Sequence, residues 1–183
     1  APNPRRVDIF LAEKGIEVER ENVDLAALAH RSEAFTAINP DQRLPVLELD
    51  DGTHISESVA ICRYFEEEVQ AEPVLFGVGA RERVMVEMWQ RRIEHELFLP
   101  VAMVFRHLHP AMAALEVPQV AAWGEANKPR VAAALERFDR ALAGRRFVVG
   151  DRYTIADITL RPGQFVADAV EPSLLTIRPV AEN

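Results

Sequence analysis

Two dipeptides early in the chain are of types that could do chemistry together, Leu44-Pro45 and Glu57-Ser58 in the stretch DQRLPVLELDDGTHISESVAI, residues 41–61. A proline at the first residue of a strand loses little by lacking its N–H. The same dipeptide in the cis form, which X–Pro bonds adopt, bends the chain so that the main-chain N–H and C=O of Leu44 face a ligand. Groups freed in this way pair with another peptide in β fashion. Glu57-Ser58 also reads two ways. Ser58 or Ser56 can cap a helix while Glu57 complements its dipole. Equally, a serine at a helix N-terminus binds a carboxylate and a neighbouring glutamate meets an ammonium, which makes a receptor for an α-amino acid head group. The residues alone leave both pairs open.

Other chemistry-bearing residues are weaker candidates. His107 and His109 diverge on a helix at i, i+2 and chelate poorly, so they read as core-edge or exposed histidines and no metal site is expected. Cys62 falls on the apolar face of its helix and reads as a small buried hydrophobe. Trp89, Phe98, Met103 and Phe105 read as core before they read as substrate contacts.

The elements that must position these residues follow from periodicity. Val7, Phe10 and Leu11 share a helical face, with Asn3 as the expected N-cap, Pro4 as the first helical residue and Gly15 as the stop. IEVERENVDL predicts a strand with Ile16, Val18 and Val23 inward, and ALAHRSEAFTAIN a short helix closed by Asn39-Pro40. LPVLEL, DDG and THIS predict a hairpin, and a helix starts at Ser58. Residues 71–79, with Pro73, Gly77 and Gly79, predict a linker. Beyond it a helix spans 80–109, nearly all apolar at LFLPVAMVF and kinked at Pro100. A second helix spans 118–143, with Trp123, Val131, Leu135, Phe138 and Leu142 at helical spacing. Thr154 to Asp157 is a capping-box pattern opening another. The expected architecture is an α/β unit over 1–70 followed by an all-α unit over 80–183.

Composition narrows the partners. The 183 residues are 49% hydrophobic and 27% charged, ordinary for a soluble globular chain, and no apolar run suits a membrane span. A net charge of −8 argues against nucleic-acid binding, although local cations can still hold a small anion. The single cysteine excludes an internal disulfide framework and suits a reducing, cytoplasmic compartment.

NPDQRLPVLELDDGTHISESVAICRYFEE resembles the glutathione-site segment of cytosolic glutathione S-transferases. FVVGDRYTIADITL resembles the capping box of their helical domain, and PNPRRVDIFLAEKGIEVE resembles their first helix, so that the likeness covers roughly residues 1–160. The fold this implies is a thioredoxin-like N-terminal domain followed by an α-helical C-terminal domain. Glutathione is the implied co-substrate, held by the Leu44 main chain before cis-Pro45, with Glu57 and Ser58 on its γ-glutamyl group. AHRS resembles a His-Lys-Ser stretch of theta-like members and implies His30 on the glycyl carboxylate, with Arg43 as a second cation.

The activity implied is detoxification-type transfer of the glutathione thiolate to a small apolar electrophile, in a homodimer. A glutathione-dependent lyase, dehalogenase or isomerase with one dedicated substrate, and a non-catalytic glutathione-binding module, are the alternatives. Ala1 aligns where the family places a serine or cysteine on the thiol, and cannot donate. Asn3 takes the catalytic role by resemblance to bacterial and fungal relatives whose asparagine amide contacts the sulfur. The family's first strand ahead of PNP is absent from this sequence, and the continuation after ADITL suggests a missing segment near 160/161.

Overall fold

The computed structural model describes residues 2–161. The chain divides between Val74 and Leu75 into two compact units.

In the first unit, α1 (Pro2–Lys14) starts two residues earlier than the sequence predicts, so Asn3 lies inside the first turn and is not the N-cap. Pro2 supplies the preset φ of a helix start, and its missing N–H would have had no partner there. Gly15 ends α1 at φ 64°, with Ile16 N–H bonded to Leu11 O and Gly15 N–H to Ala12 O. That paired closure needs the left-handed conformation glycine adopts freely.

Residues 16–24 form no strand. Alternation alone cannot make one; its N–H and C=O groups need a neighbouring ladder, and the sheet among the described residues has two strands. The predicted helix over 27–39 is split into a 3₁₀ turn, Ala29–Arg31, and α2 (Glu33–Ile38). Ser32 makes the break: its hydroxyl accepts from Phe35 N–H as an N-cap, so the helix restarts there. β1 (Val46–Glu48) and β2 (His54–Ser56) pair antiparallel, Val46 opposite Ser56 and Glu48 opposite His54. α3 (Ser58–Val69) follows at the predicted residue.

α1 and α3 pack side by side with a parallel register. Arg6 donates from Nη1 to Ser58 Oγ at 2.6 Å, and Lys14 Nζ meets Glu66 Oε2 at 2.9 Å. One offset joins both pairs, and it brings fully buried Phe10 level with fully buried Cys62. Lys14 also donates to the carbonyls of Ala71 and Pro73, so its three N–H donors have three acceptors.

In the second unit, α4 (Gly79–Arg92), a π-helical segment (Ile93–Phe98) and α5 (Leu99–Leu108) form one uninterrupted helical path. The disturbance expected at Pro100 takes the form of a widened turn before it, in which Leu99 N–H reaches back to Glu94 O. α6 (Ala121–Leu142) starts three residues later than predicted, after the cis Val117–Pro118 bond. Its buried face carries Gly124, Asn127, Val131, Ala134, Leu135 and Phe138, while Trp123, predicted on that face, is 45% exposed. Gly124 is required here, because a Cβ would lie 2.6 Å from Leu108 Cγ on α5. Asp157 fulfils the capping-box pattern: its carboxylate accepts from Thr154 N–H, Thr154 Oγ1 and Val148 N–H at 2.8–2.9 Å. The helix it caps begins at 155. Burial still leaves the Asp157 carboxyl above its ordinary range, with the hydrogen bonds acting the other way.

Breaking a buried ion pair from one side strands the other charge. Lys14→Met should therefore lower unfolding free energy by about 3–5 kcal/mol in urea titration. Adding Glu66→Leu should recover part of the loss, the Ala71 and Pro73 carbonyls remaining without their donor.

Candidate functional site

The hairpin brings the two dipeptides to the same end. Its register pairs Val46 with Ser56, so Leu44 just before β1 and Ser58 just after β2 lie beyond the same end of the ladder. The Leu44–Pro45 bond is cis. Among the described residues no main-chain hydrogen bond engages the N–H or C=O of Leu44. Asn39 shapes the approach: buried, it donates from Nδ2 to Arg43 O at 2.9 Å and accepts from Asp41 N–H at 3.2 Å. Gln42, at φ 54°, closes the bend with its amide on Thr36 Oγ1.

Glu57 and Ser58 adopt neither capping arrangement. Glu57 occupies the N-cap position with no side-chain bond to the helix, its carbonyl accepting from Ile61 N–H. Its backbone is at φ 69°, ψ 111°, rare for a side chain other than glycine and costing about 1–3 kcal/mol. The carboxylate is exposed. Ser58 is the first helical residue, 3% exposed, and its hydroxyl accepts from Arg6.

Arg6 is the site residue that sequence reasoning missed. Its signal was present as the spacing Arg6, Phe10, Lys14, which puts two cations on the stripe that a helix buries.

His30 lies in the 3₁₀ turn, buried, with Nδ1 meeting no hydrogen-bonding partner among the described residues. Burial lowers its pKa below the ordinary range, and the positive charges of Arg31 and Arg43 lower it further. Arg31 and the exposed Arg43 thus set positive charge around a His30 ring whose burial favours its neutral form. Asn3 stands half-buried in the first turn of α1.

The remaining candidates are otherwise engaged. Cys62 is fully buried and its thiol is pushed up to about 12, by loss of solvation first, with Arg6 opposing. His107 Nδ1 accepts from Val120 N–H, and His109 Nδ1 accepts from Ala111 N–H. Trp89 packs in the core with its ring 6.0 Å from Phe138, whereas Phe98, Met103 and Phe105 are half-buried. Among the described residues no helix is long and apolar enough to cross a membrane, and no three metal-ligating side chains cluster.

The family models for the glutathione S-transferase N-terminal domain and C-terminal domain match residues 1–68 and 99–180. Glutathione S-transferase 2 of Saccharomyces cerevisiae is 35% identical over 173 residues, covering 93% of this chain and 74% of that protein. A glutathione S-transferase domain-containing protein of Marinobacter aquaeolei has a solved structure with a TM-score of 0.90 at 37% identity, covering 96% of this chain and 86% of that one. A more distant relative, maleylacetoacetate isomerase of Pseudomonas aeruginosa, is 28% identical over 89% of this chain and 76% of its own length. The small antiparallel sheet with its helices, followed by a helical unit, agrees with a thioredoxin-like N-terminal domain and an α-helical C-terminal domain.

A depressed histidine pKa has a definite stability signature. With His30 titrating below its unfolded value near 6.5, the neutral ring contributes stability that is complete above about pH 6.5 and is lost as pH falls through the folded value. Thermal midpoints of the wild type should drop relative to His30→Asn as pH goes from 7.5 to 5. A constant gap between the two proteins across that range would contradict the burial and charge effects at His30.

Proposed function

The chain belongs to the glutathione S-transferase family, and from that premise we propose how it holds glutathione and ionises its thiol. It is a transferase enzyme. The Leu44 N–H and C=O pair with the cysteinyl unit, Ser58 and the start of α3 take the γ-glutamyl carboxylate, and Glu57 takes the ammonium. His30 and Arg43 meet the glycyl carboxylate.

The observation that carries this reading is the shared location of its two halves. Main-chain groups of Leu44 with no main-chain partner among the described residues lie at the same end of the hairpin as a helix start whose glutamate is not spent on capping. A tripeptide with a peptide bond at one end and an amino-acid head group at the other matches that arrangement.

The reaction needs the thiolate, because the thiol is a weak nucleophile and at a pKa near 8.5 only a few per cent is ionised at pH 7. Asn3 and the positive end of α1 stabilise the sulfur's charge while its proton leaves to solvent. The thiolate then attacks an apolar electrophilic carbon, either expelling a leaving group with its bonding pair or adding across an activated double bond. The exposed Leu99, Val84 and Met85 suit a homodimer, and the reducing environment implied by one buried cysteine suits the cytoplasm.

The isomerase among the relatives supports a second reading, in which the same thiolate adds to and leaves a single dedicated substrate. Activity on generic aryl halides against activity on a cis-configured activated alkene separates the two.

Ser58→Ala should weaken glutathione binding by about 1.5–3 kcal/mol in calorimetry, the usual loss for a hydrogen bond to a charged group. Unchanged affinity would remove Ser58 from the site. Asn3→Ala should raise the pKa of bound glutathione's thiol, followed by thiolate absorbance at 240 nm, while affinity stays nearly constant. An unshifted titration would leave Asn3 without a catalytic part.

A further inference from the structure

Asn39 is 4% exposed, and its side chain reaches past the bend that it helps to close. The bend over 39–42 has its own closures: Gln42 N–H donates to Asn39 O at 2.9 Å, and Asp41 N–H donates to Asn39 Oδ1 at 3.2 Å. Asn39 Nδ2 nevertheless donates further on, to Arg43 O at 2.9 Å. The cis bonds among the described residues do not include Arg43–Leu44, which is trans. A planar trans peptide points its C=O and its N–H in opposite directions. A side chain that fixes the first of these groups therefore aims the second.

We propose, resting on the reading of Leu44 given above, that Asn39 is a positioning residue for the cysteinyl carbonyl of glutathione, acting through the Arg43–Leu44 peptide. With Arg43 O drawn onto the buried amide, Leu44 N–H faces away from Asn39 and is the donor shown to the tripeptide. Downstream nothing can stand in for it, because Pro45 has no N–H and Val46 already belongs to β1. Rotation of this one peptide, through ψ of Arg43 and φ of Leu44, would turn two successive carbonyls to the ligand and withdraw the donor. A peptide without its pin would divide its time between the two orientations. The amide holds it without adding charge beside Arg43 and without titrating.

The test uses two probes, glutathione and an analogue in which an E-alkene replaces the cysteinyl-glycine amide, each titrated calorimetrically into the intact protein. The alkene keeps the extended shape, the thiol and both charged ends, and lacks the acceptor for Leu44 N–H. The wild type should bind glutathione about three- to tenfold tighter than the analogue, the scale of one neutral hydrogen bond. Asn39→Ser keeps an oxygen for Asp41 N–H and is too short to reach Arg43 O. It should bring the ratio of the two affinities towards one while affinity for the analogue changes little.

A merely structural role would lower both affinities together in Asn39→Ser, or leave both alone, and so preserve their ratio. That result overturns this inference and leaves the reading of Leu44 standing. A wild type that does not discriminate overturns the reading of Leu44 and this inference with it. Should Asn39→Ser fail to fold, amide hydrogen exchange in the wild type decides. Leu44 N–H should exchange readily in the free protein, and saturating glutathione should slow it about tenfold or more, the analogue far less. A Leu44 N–H already protected in the free protein, or slowed equally by both probes, overturns the proposal.

Discussion

Two long polar contacts fix how α1 lies along α3, and the first unit is arranged around that choice. Arg6 with Ser58 and Lys14 with Glu66 share one offset, so sliding the helices by a turn would break both at once. Breaking one buried pair costs about 3–5 kcal/mol, a large part of a domain's net stability. Hydrophobic burial of Phe10, Leu11, Ile61 and Cys62 drives the helices together, but such contacts tolerate several registers. The polar rungs select one. The same selection places the first turn of α1, with Asn3, and the first turn of α3, with Ser58, at one end of the pair, because parallel helices in fixed register begin on the same side. It also silences Cys62: a thiol held at about 12 between the two rungs does not compete with a thiol brought by a substrate.

Glu57 has the opposite character, a strained residue at the edge of this ordered pair. A glycine would adopt φ 69° without steric cost, and an asparagine would do so more easily than a glutamate. The side chain neither caps α3 nor is buried, so among the described residues no side-chain cap bond repays the backbone conformation. Strain of this kind persists where the neighbours over-determine it. Here β2 fixes the chain on one side at Ser56, and the Arg6 contact fixes Ser58 on the other. On the proposed reading, the residue repays its strain when its carboxylate meets an ammonium at the mouth of α3.

What could be read from residues alone followed local rules. Asp-Asp-Gly between alternating runs became the hairpin, Gly15 closed α1, Ser58 opened α3 and Thr154–Asp157 formed its capping box, since each depends on a few neighbouring side chains. The errors came from features whose cause lies elsewhere in the chain. Ile16, Val18 and Val23 alternate as strand residues do, yet without an adjacent ladder they form no strand. Trp123 has helical spacing with Val131, but the face pressed against α5 is the one bearing Gly124, where the backbones come close. Pro100 was legible as a disturbance and not as a π-helical turn, around which Leu97, Val101 and Val104 are buried. Arg6 was passed over because a cation in an amphipathic pattern ordinarily marks the solvated side, and its buried partner is distant in sequence.

The site's electrostatics run against the protein's overall sign, and magnitudes show why position matters more than the total. The chain carries −8, yet Arg31 and Arg43 set positive charge around His30, where interactions act within a Debye length of about 8 Å. Ionising most of a thiol of pKa near 8.5 at pH 7 takes a depression of about two units, roughly 2.7 kcal/mol. A helix terminus supplies about 0.3–1 kcal/mol when exposed and about 2 at best, which falls short. A hydrogen bond to the charged sulfur adds about 1.5–3 kcal/mol. Such a bond meets the requirement alone only at the top of its range, and with the helix terminus acting on the same atom the sum reaches it over most of that range. On that arithmetic, a donor carried within the first turn of α1, as Asn3 is, combines two contributions that a donor placed elsewhere would not.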